Sequence, residues 1–195
     1  MNFKKLFFAA VIVLSANASF AQATDGKAAS HLVTISIPEI ALLDLEAAST
    51  AITLAGTAPT EAGDPMTFGA AATNSTIWMN YSSIVKGTAL LRNVSVAITG
   101  TGTVPAGLKL SVLASDATAD GAGTKGTAAA TELILTTTAQ SIVTGIGSTY
   151  TGTGVDKGRK LTYKLDYATG ESTDYAALRF DIIAPLTITY TLTDI

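Results

Sequence analysis

Cysteine is absent from this chain of 195 residues, which excludes disulfides, thiol catalysis, thiolate metal sites and lipid attachment through a thiol. Histidine occurs once, and nothing around His31 offers the nucleophile and orienting acid that a triad needs. Its place at the head of an alternating run reads as a surface position. Charged residues make up 14% of the chain, against roughly 25% in an average domain, and acids outnumber bases. Nucleic acid and anionic membranes reward clustered Lys and Arg, so neither is an expected partner. Lys157-Gly158-Arg159-Lys160 is the one local basic cluster, and its expected setting is a solvated loop. No apolar run reaches the roughly 20 residues that span a bilayer.

The longest such run, Leu6–Leu14, measures about nine residues and follows Lys4 and Lys5. Ser19-Phe20-Ala21 then places small residues where a signal peptidase reads them, with Ala21-Gln22-Ala23 as a rival frame. The expectation is a signal peptide over residues 1–21 and a single domain over 22–195, long enough for a real core. The mature protein is expected to be extracytoplasmic, either secreted or at the cell surface, with no transmembrane segment.

Thr, Ala, Gly and Ser dominate what remains, and period-two alternation recurs. It runs through Val33, Ile35 and Ile37 until Pro38, then Ile77/Met79/Tyr81, Val94/Val96/Ile98 and Leu108/Leu110/Val112. Leu133–Leu135, Ile142–Val143, Leu161/Tyr163/Leu165/Tyr167, Leu178/Phe180/Ile182 and Leu186/Ile188/Tyr190/Leu192 follow. Gly-rich turns separate these runs. The expected class is all-β, an antiparallel β-sandwich of immunoglobulin-like or pilin-like type, with strand order not legible. Two stretches carry helical alternatives, Pro38–Ala48 and the start of Thr127–Leu135.

Chemical motifs weigh little. Ser83-Ile84-Val85-Lys86 spells S-x-x-K, but its companion motifs are missing and Ser83 continues a strand. Gly121–Gly126 matches G-x-G-x-x-G without the strand before it or the helix after it, so a flexible hairpin loop is expected. Asp116, Asp120 and Asp156 fall in loops but lack calcium-loop spacing. Glu39, Asp44 and Glu46 crowd too closely in sequence to flank a glycosidic bond. The expectation is a non-enzyme with no metal and no cofactor. Asn74, Asn80 and Asn93 head glycosylation sequons, which Thr- and Ser-rich sequence produces freely.

Aromatic residues are sparse, and Phe3, Phe7, Phe8 and Phe20 fall in the signal. Tyr163, Tyr167 and Tyr190 share faces with Leu or Ile and read as core. Trp78 falls on the face opposite Ile77, Met79 and Tyr81, and Tyr150 sits between Gly-rich turns. Trp78 and Tyr150 are therefore the candidate ligand contacts.

The closing run Pro185–Asp194 (PLTITYTLTD) resembles the end of the WxL domain of bacterial surface proteins, with Tyr190 in the place of a tryptophan and Leu192 following. Gly107–Val112 (GLKLSV) is similar to that family's earlier W-x-L motif, with Leu108 and Leu110 at its positions. The resemblance covers about residues 92–195, and both signature tryptophans are replaced. It implies a surface β-domain that assembles with other cell-surface proteins or binds an envelope glycan.

Two classes of function follow. One is a structural or adhesive envelope protein acting through protein or glycan contacts, including contacts with its own copies. Its sharper form is a fimbrial subunit in which Val33, Ile35 and Ile37 complete the sheet of another copy; the plainer reading gives His31–Ile37 to the first strand of its own sandwich. The other class is a glycan-binding module built on Trp78 and Tyr150.

Overall fold

A computed structural model describes residues 26–28, 30–49, 51–87, 90–180 and 185–195. The expected signal, residues 1–21, lies outside the described residues. Met1–Ser36 and Ile37–Ile195 form two separate units. In the first, the described residues enter no helix or strand.

The second unit is an antiparallel β-structure. Its strands are β1 (Ile40–Glu46), β2 (Thr73–Ile84), β3 (Arg92–Thr99), β4 (Leu108–Ala114), β5 (Ala122–Ala128), β6 (Leu133–Ile134), β7 (Gln140–Tyr150), β8 (Arg159–Tyr167) and β9 (Thr187–Asp194). A four-residue helix, Glu171–Asp174, and two 3-10 turns complete the described elements. None of these helices is long and apolar enough to cross a membrane.

The hydrogen-bonded order is β6-β4-β8-β2-β7-β3-β9, with β1 on β2 and β5 on β7. Only Ser82↔Tyr150 and Ser83↔Thr149 join β2 to β7. That narrow seam divides the sheet into two halves, which share one core. Ile77 and Met79 from β2, Val112 from β4 and Leu161 from β8 meet Val94 and Val96 from β3 and Ile142 and Ile146 from β7. Each strand turns its apolar row inward because successive side chains point to opposite faces. Burying one such Val or Leu contributes about 1.5–3 kcal/mol. The arrangement is a sandwich whose sheet stays open: among the described residues β9 pairs only β3, and β1 pairs only β2.

Several expectations fail here. His31–Ile37 is not a strand; pairing begins at Ile40, past Pro38, which has no N–H to give a ladder. Within Pro38–Ala48 there is no helical turn but β1, because Leu43 and Leu45 pack on the core opposite Tyr81 and Met79. Thr127–Leu135 holds the end of β5 and the short β6 rather than a helix start. Leu178 caps a 3-10 turn and Phe180 is wholly exposed, so no strand forms there; Ile182 lies outside the described residues.

Gly121–Gly126 is no flexible loop. Ala122–Gly126 belong to strand β5, paired along β7, and Gly121 immediately precedes it. Gly121 and Gly123 adopt φ of 76° and 89°, and a Cβ on either would collide with the carbonyl oxygen of Tyr150 or Ser148. Glycine is needed there for close approach of two backbones. The basic cluster also departs from expectation. Arg159 opens β8 and is 1% exposed. Its Nε donates to the Tyr81 hydroxyl at 3.0 Å, and its Nη atoms donate to the carbonyls of Ser115, Lys125 and Gly126 at 2.9, 3.0 and 2.7 Å. A guanidinium's fork of donors can satisfy several carbonyls at once, so Arg159 ties β5 to β8.

Candidate functional site

The open side of the sandwich starts with β9. Thr187, Thr189, Thr191 and Thr193 face outward, and Ile188, Tyr190 and Leu192 turn to the core. The inner row of β3 beside it, Val94, Val96 and Ile98, is buried. The β9 row is only partly buried, because its other side has no neighbouring strand among the described residues. Leu43 and Leu45 on β1 show the same partial burial.

Tyr190 and Tyr163 share a hydroxyl–hydroxyl bond of 2.8 Å across the core. Burial raises the pKa of both phenols, so both stay neutral. Tyr163 is opposite Val112 on β4, and this bond therefore links the two halves. The four WxL-like positions fall in both halves: Leu108 and Leu110 lie on β4, Tyr190 and Leu192 on β9. Leu110 is core and Leu108 is partly buried.

At one pole Arg92 joins the first strand to the last. It is 2% exposed, and its Nε donates to Asp194 Oδ1 at 2.6 Å while Nη2 donates to Glu39 Oε1. Nη1 donates to the Ile40 carbonyl and to Ser83 Oγ. Both carboxylates remain about two-thirds exposed. A buried guanidinium without such partners would cost several kcal/mol, so the start of β1 and the end of β9 are held side by side. No sequence pattern pointed to Arg92. Its one signal is a charge at the first position of an otherwise alternating strand.

The expected donor residues Val33, Ile35 and Ile37, with Leu32 beside them, are all exposed. Leu32 is 92% exposed, Val33 64%, Ile35 83% and Ile37 73%. Exposed apolar side chains at alternate positions of a segment that enters no ladder are available for pairing with another strand edge.

The candidate ligand contacts do not come together. Trp78 is partly buried on the outer face of β2, opposite Glu46 and Lys160, with the Lys160 ammonium 5.1 Å from its ring centre. Tyr150 ends β7, more than half exposed, beside a shallow cavity of about 370 Å³ that Ile40, Ser83 and Gly123 also line. The ring pairs among the described residues are Phe68–Tyr167 at 4.9 Å and Tyr167–Tyr175 at 6.5 Å, and neither Trp78 nor Tyr150 takes part. A second cavity of about 340 Å³ lies by Asp44, Glu46 and Asn80. Asn80 Oδ1 has no partner there, but it presses on Gly158, where a Cβ would sit 2.6 Å away.

Of the loop acids, Asp120 pairs with Lys157 at 2.7 Å, and this bond holds its carboxyl below the usual range. Among the described residues no three acids or histidines gather as a metal site. His31 is exposed in the unpaired segment. No family model, curated protein or solved structure matches this chain.

Proposed function

We propose that the chain is an exported, non-enzymatic structural subunit of a cell-surface or envelope assembly, and that it joins further copies by donating His31–Ile37 as a strand. One observation carries this reading: Val33, Ile35 and Ile37 are exposed in a segment that enters no ladder. Aqueous exposure of an alternating apolar row is unfavourable, and burial against a partner's sheet recovers roughly 1.5–3 kcal/mol per side chain. The open edge of β9 supports it from the acceptor side. The segment's position soon after the expected signal Met1–Ala21 supports a donation outside the cytoplasm. Likeness to the WxL domain at Leu110 and Leu192 agrees with a surface role. It adds no wall-binding residue, since Leu108 and Tyr190 replace the tryptophans.

A glycan-binding module gains less support. Stacking on a sugar needs an open ring face, and the Trp78 ring has Lys160 over it and, among the described residues, enters no ring pair.

The test is electrophoresis of the full-length secreted protein, concentrated and loaded without boiling. A regular ladder is expected, and Ile35→Asp should abolish it while leaving the monomer's thermal midpoint unchanged, because a charge cannot enter an apolar slot unpaired. Absence of a ladder in the native protein, or its survival in Ile35→Asp, overturns the reading.

A further inference from the structure

Strand direction decides what a donated strand can build, and the chain joins the segment through Ile37 and Pro38 to Glu39, which Arg92 holds. Arg92 holds Glu39, two residues after Ile37, next to Asp194. β9 runs toward this pole, from Thr187 beside Thr99 to Asp194 beside Arg92. Were a donated segment to lie parallel to β9, its root would sit at the acceptor's own Arg92 pole. The two like poles would then meet, each copy would fill the other's edge, and growth would stop at a two-fold dimer. That junction would also bring the exposed carboxylates Glu39 and Asp194 of one copy against those of the other, a repulsive contact.

The antiparallel direction has neither consequence. Its root lies at the far pole, near Leu186 and Thr187, where no charge stands on β9. With Ile35 centred on Tyr190, Val33 then falls beside Leu192 and Ile37 beside Ile188, and His31 comes opposite Asp194. Both apolar rows have period two, so every inward side chain meets an inward neighbour. Antiparallel pairing is also slightly more stable per residue.

Resting on the reading of His31–Ile37 as a donated strand, we infer that its acceptor is the outer edge of β9 in a second copy. It runs antiparallel there, with Val33, Ile35 and Ile37 beside Leu192, Tyr190 and Ile188. Copies therefore join head to tail in an open chain, each leaving its own segment free for the next.

The absence of cysteine makes cross-linking a clean test. Directly opposed residues lie about 4.5–5.5 Å apart between Cα atoms and can be bridged, whereas most diagonal pairs cannot. Four full-length double variants are oxidised and boiled without reductant. Thr34→Cys with Thr191→Cys, and Ser36→Cys with Thr189→Cys, place thiols on the outward face and should give covalent ladders beyond the dimer. Thr34→Cys with Thr189→Cys, and Ser36→Cys with Thr191→Cys, report the parallel direction and should stay monomeric. Cross-linking of the second two pairs, or products that end at the dimer, would overturn this inference and leave strand donation standing. A native ladder with no cross-link in any variant would place the acceptor on another edge and overturn it too. No ladder in the native protein would remove the underlying reading and this inference together.

Discussion

His31–Ile37 and β9 carry nearly the same pattern, apolar residues alternating with Thr or Ser, yet they meet opposite fates. β9 pairs with β3 along its full length and packs Ile188, Tyr190 and Leu192 on the core. His31–Ile37 enters no ladder and exposes Val33, Ile35 and Ile37. Alternation therefore reports a capacity for pairing, and says nothing about which molecule supplies the partner.

The strongest way to break this comparison is to truncate both rows. Tyr190→Ala should cost about 2–4 kcal/mol in urea unfolding, slightly less than a wholly buried aromatic. Ile35→Ala should change the dilute monomer's stability by less than about 0.5 kcal/mol. Equal costs would show that His31–Ile37 already packs in its own molecule. Arg92→Ala comes next, because it leaves the Ile40 carbonyl and Ser83 Oγ without their donor; about 2–3 kcal/mol is expected from the same measurement. Tyr163→Phe removes only the hydroxyl that meets Tyr190, and should cost about 1 kcal/mol. Thr189→Ala, on the outward face of β9, should cost under about 1 kcal/mol.

A smaller effect concerns acid. Asp174 accepts backbone N–H bonds from Gly170 and Thr169, and these lower its folded pKa. Its contribution is fully present above the unfolded carboxylate value near about 3.9, and is lost as pH falls through the lower folded value. Asp174→Asn should therefore flatten the acid limb of a stability profile and leave the neutral side parallel to the native curve. An unchanged acid limb would contradict the assignment.

Strands β2, β3, β4, β8 and β9 were legible because an apolar residue recurs at every second position, as in Ile77/Met79/Tyr81 or Leu161/Tyr163. β5 was not, since Ala122–Ala128 has no apolar row and is held by glycines that let its backbone close on β7. β1 was obscured by good helix formers, Ala41 through Ala48, whose preference the packing of Leu43 and Leu45 overrides. Arg92 and Arg159 were missed for a different reason. Composition treats a basic residue as solvated, and only the fold reveals the carbonyls and carboxylates that satisfy each guanidinium in the interior. Of the candidate site residues, Val33, Ile35 and Ile37 were visible as a possible donor; their exposure was not, because a strand used in its own sheet has the same sequence.

Amide hydrogen exchange of the full-length protein, read at low and high concentration, tests the central claim most directly. In the dilute monomer Val33–Ile37 should exchange at unprotected rates while Ile188–Leu192 are slowed by the β3 ladder. In the assembled protein both segments should be protected. Protection of Val33–Ile37 in the dilute monomer would show that the segment completes its own sheet, and would contradict the account.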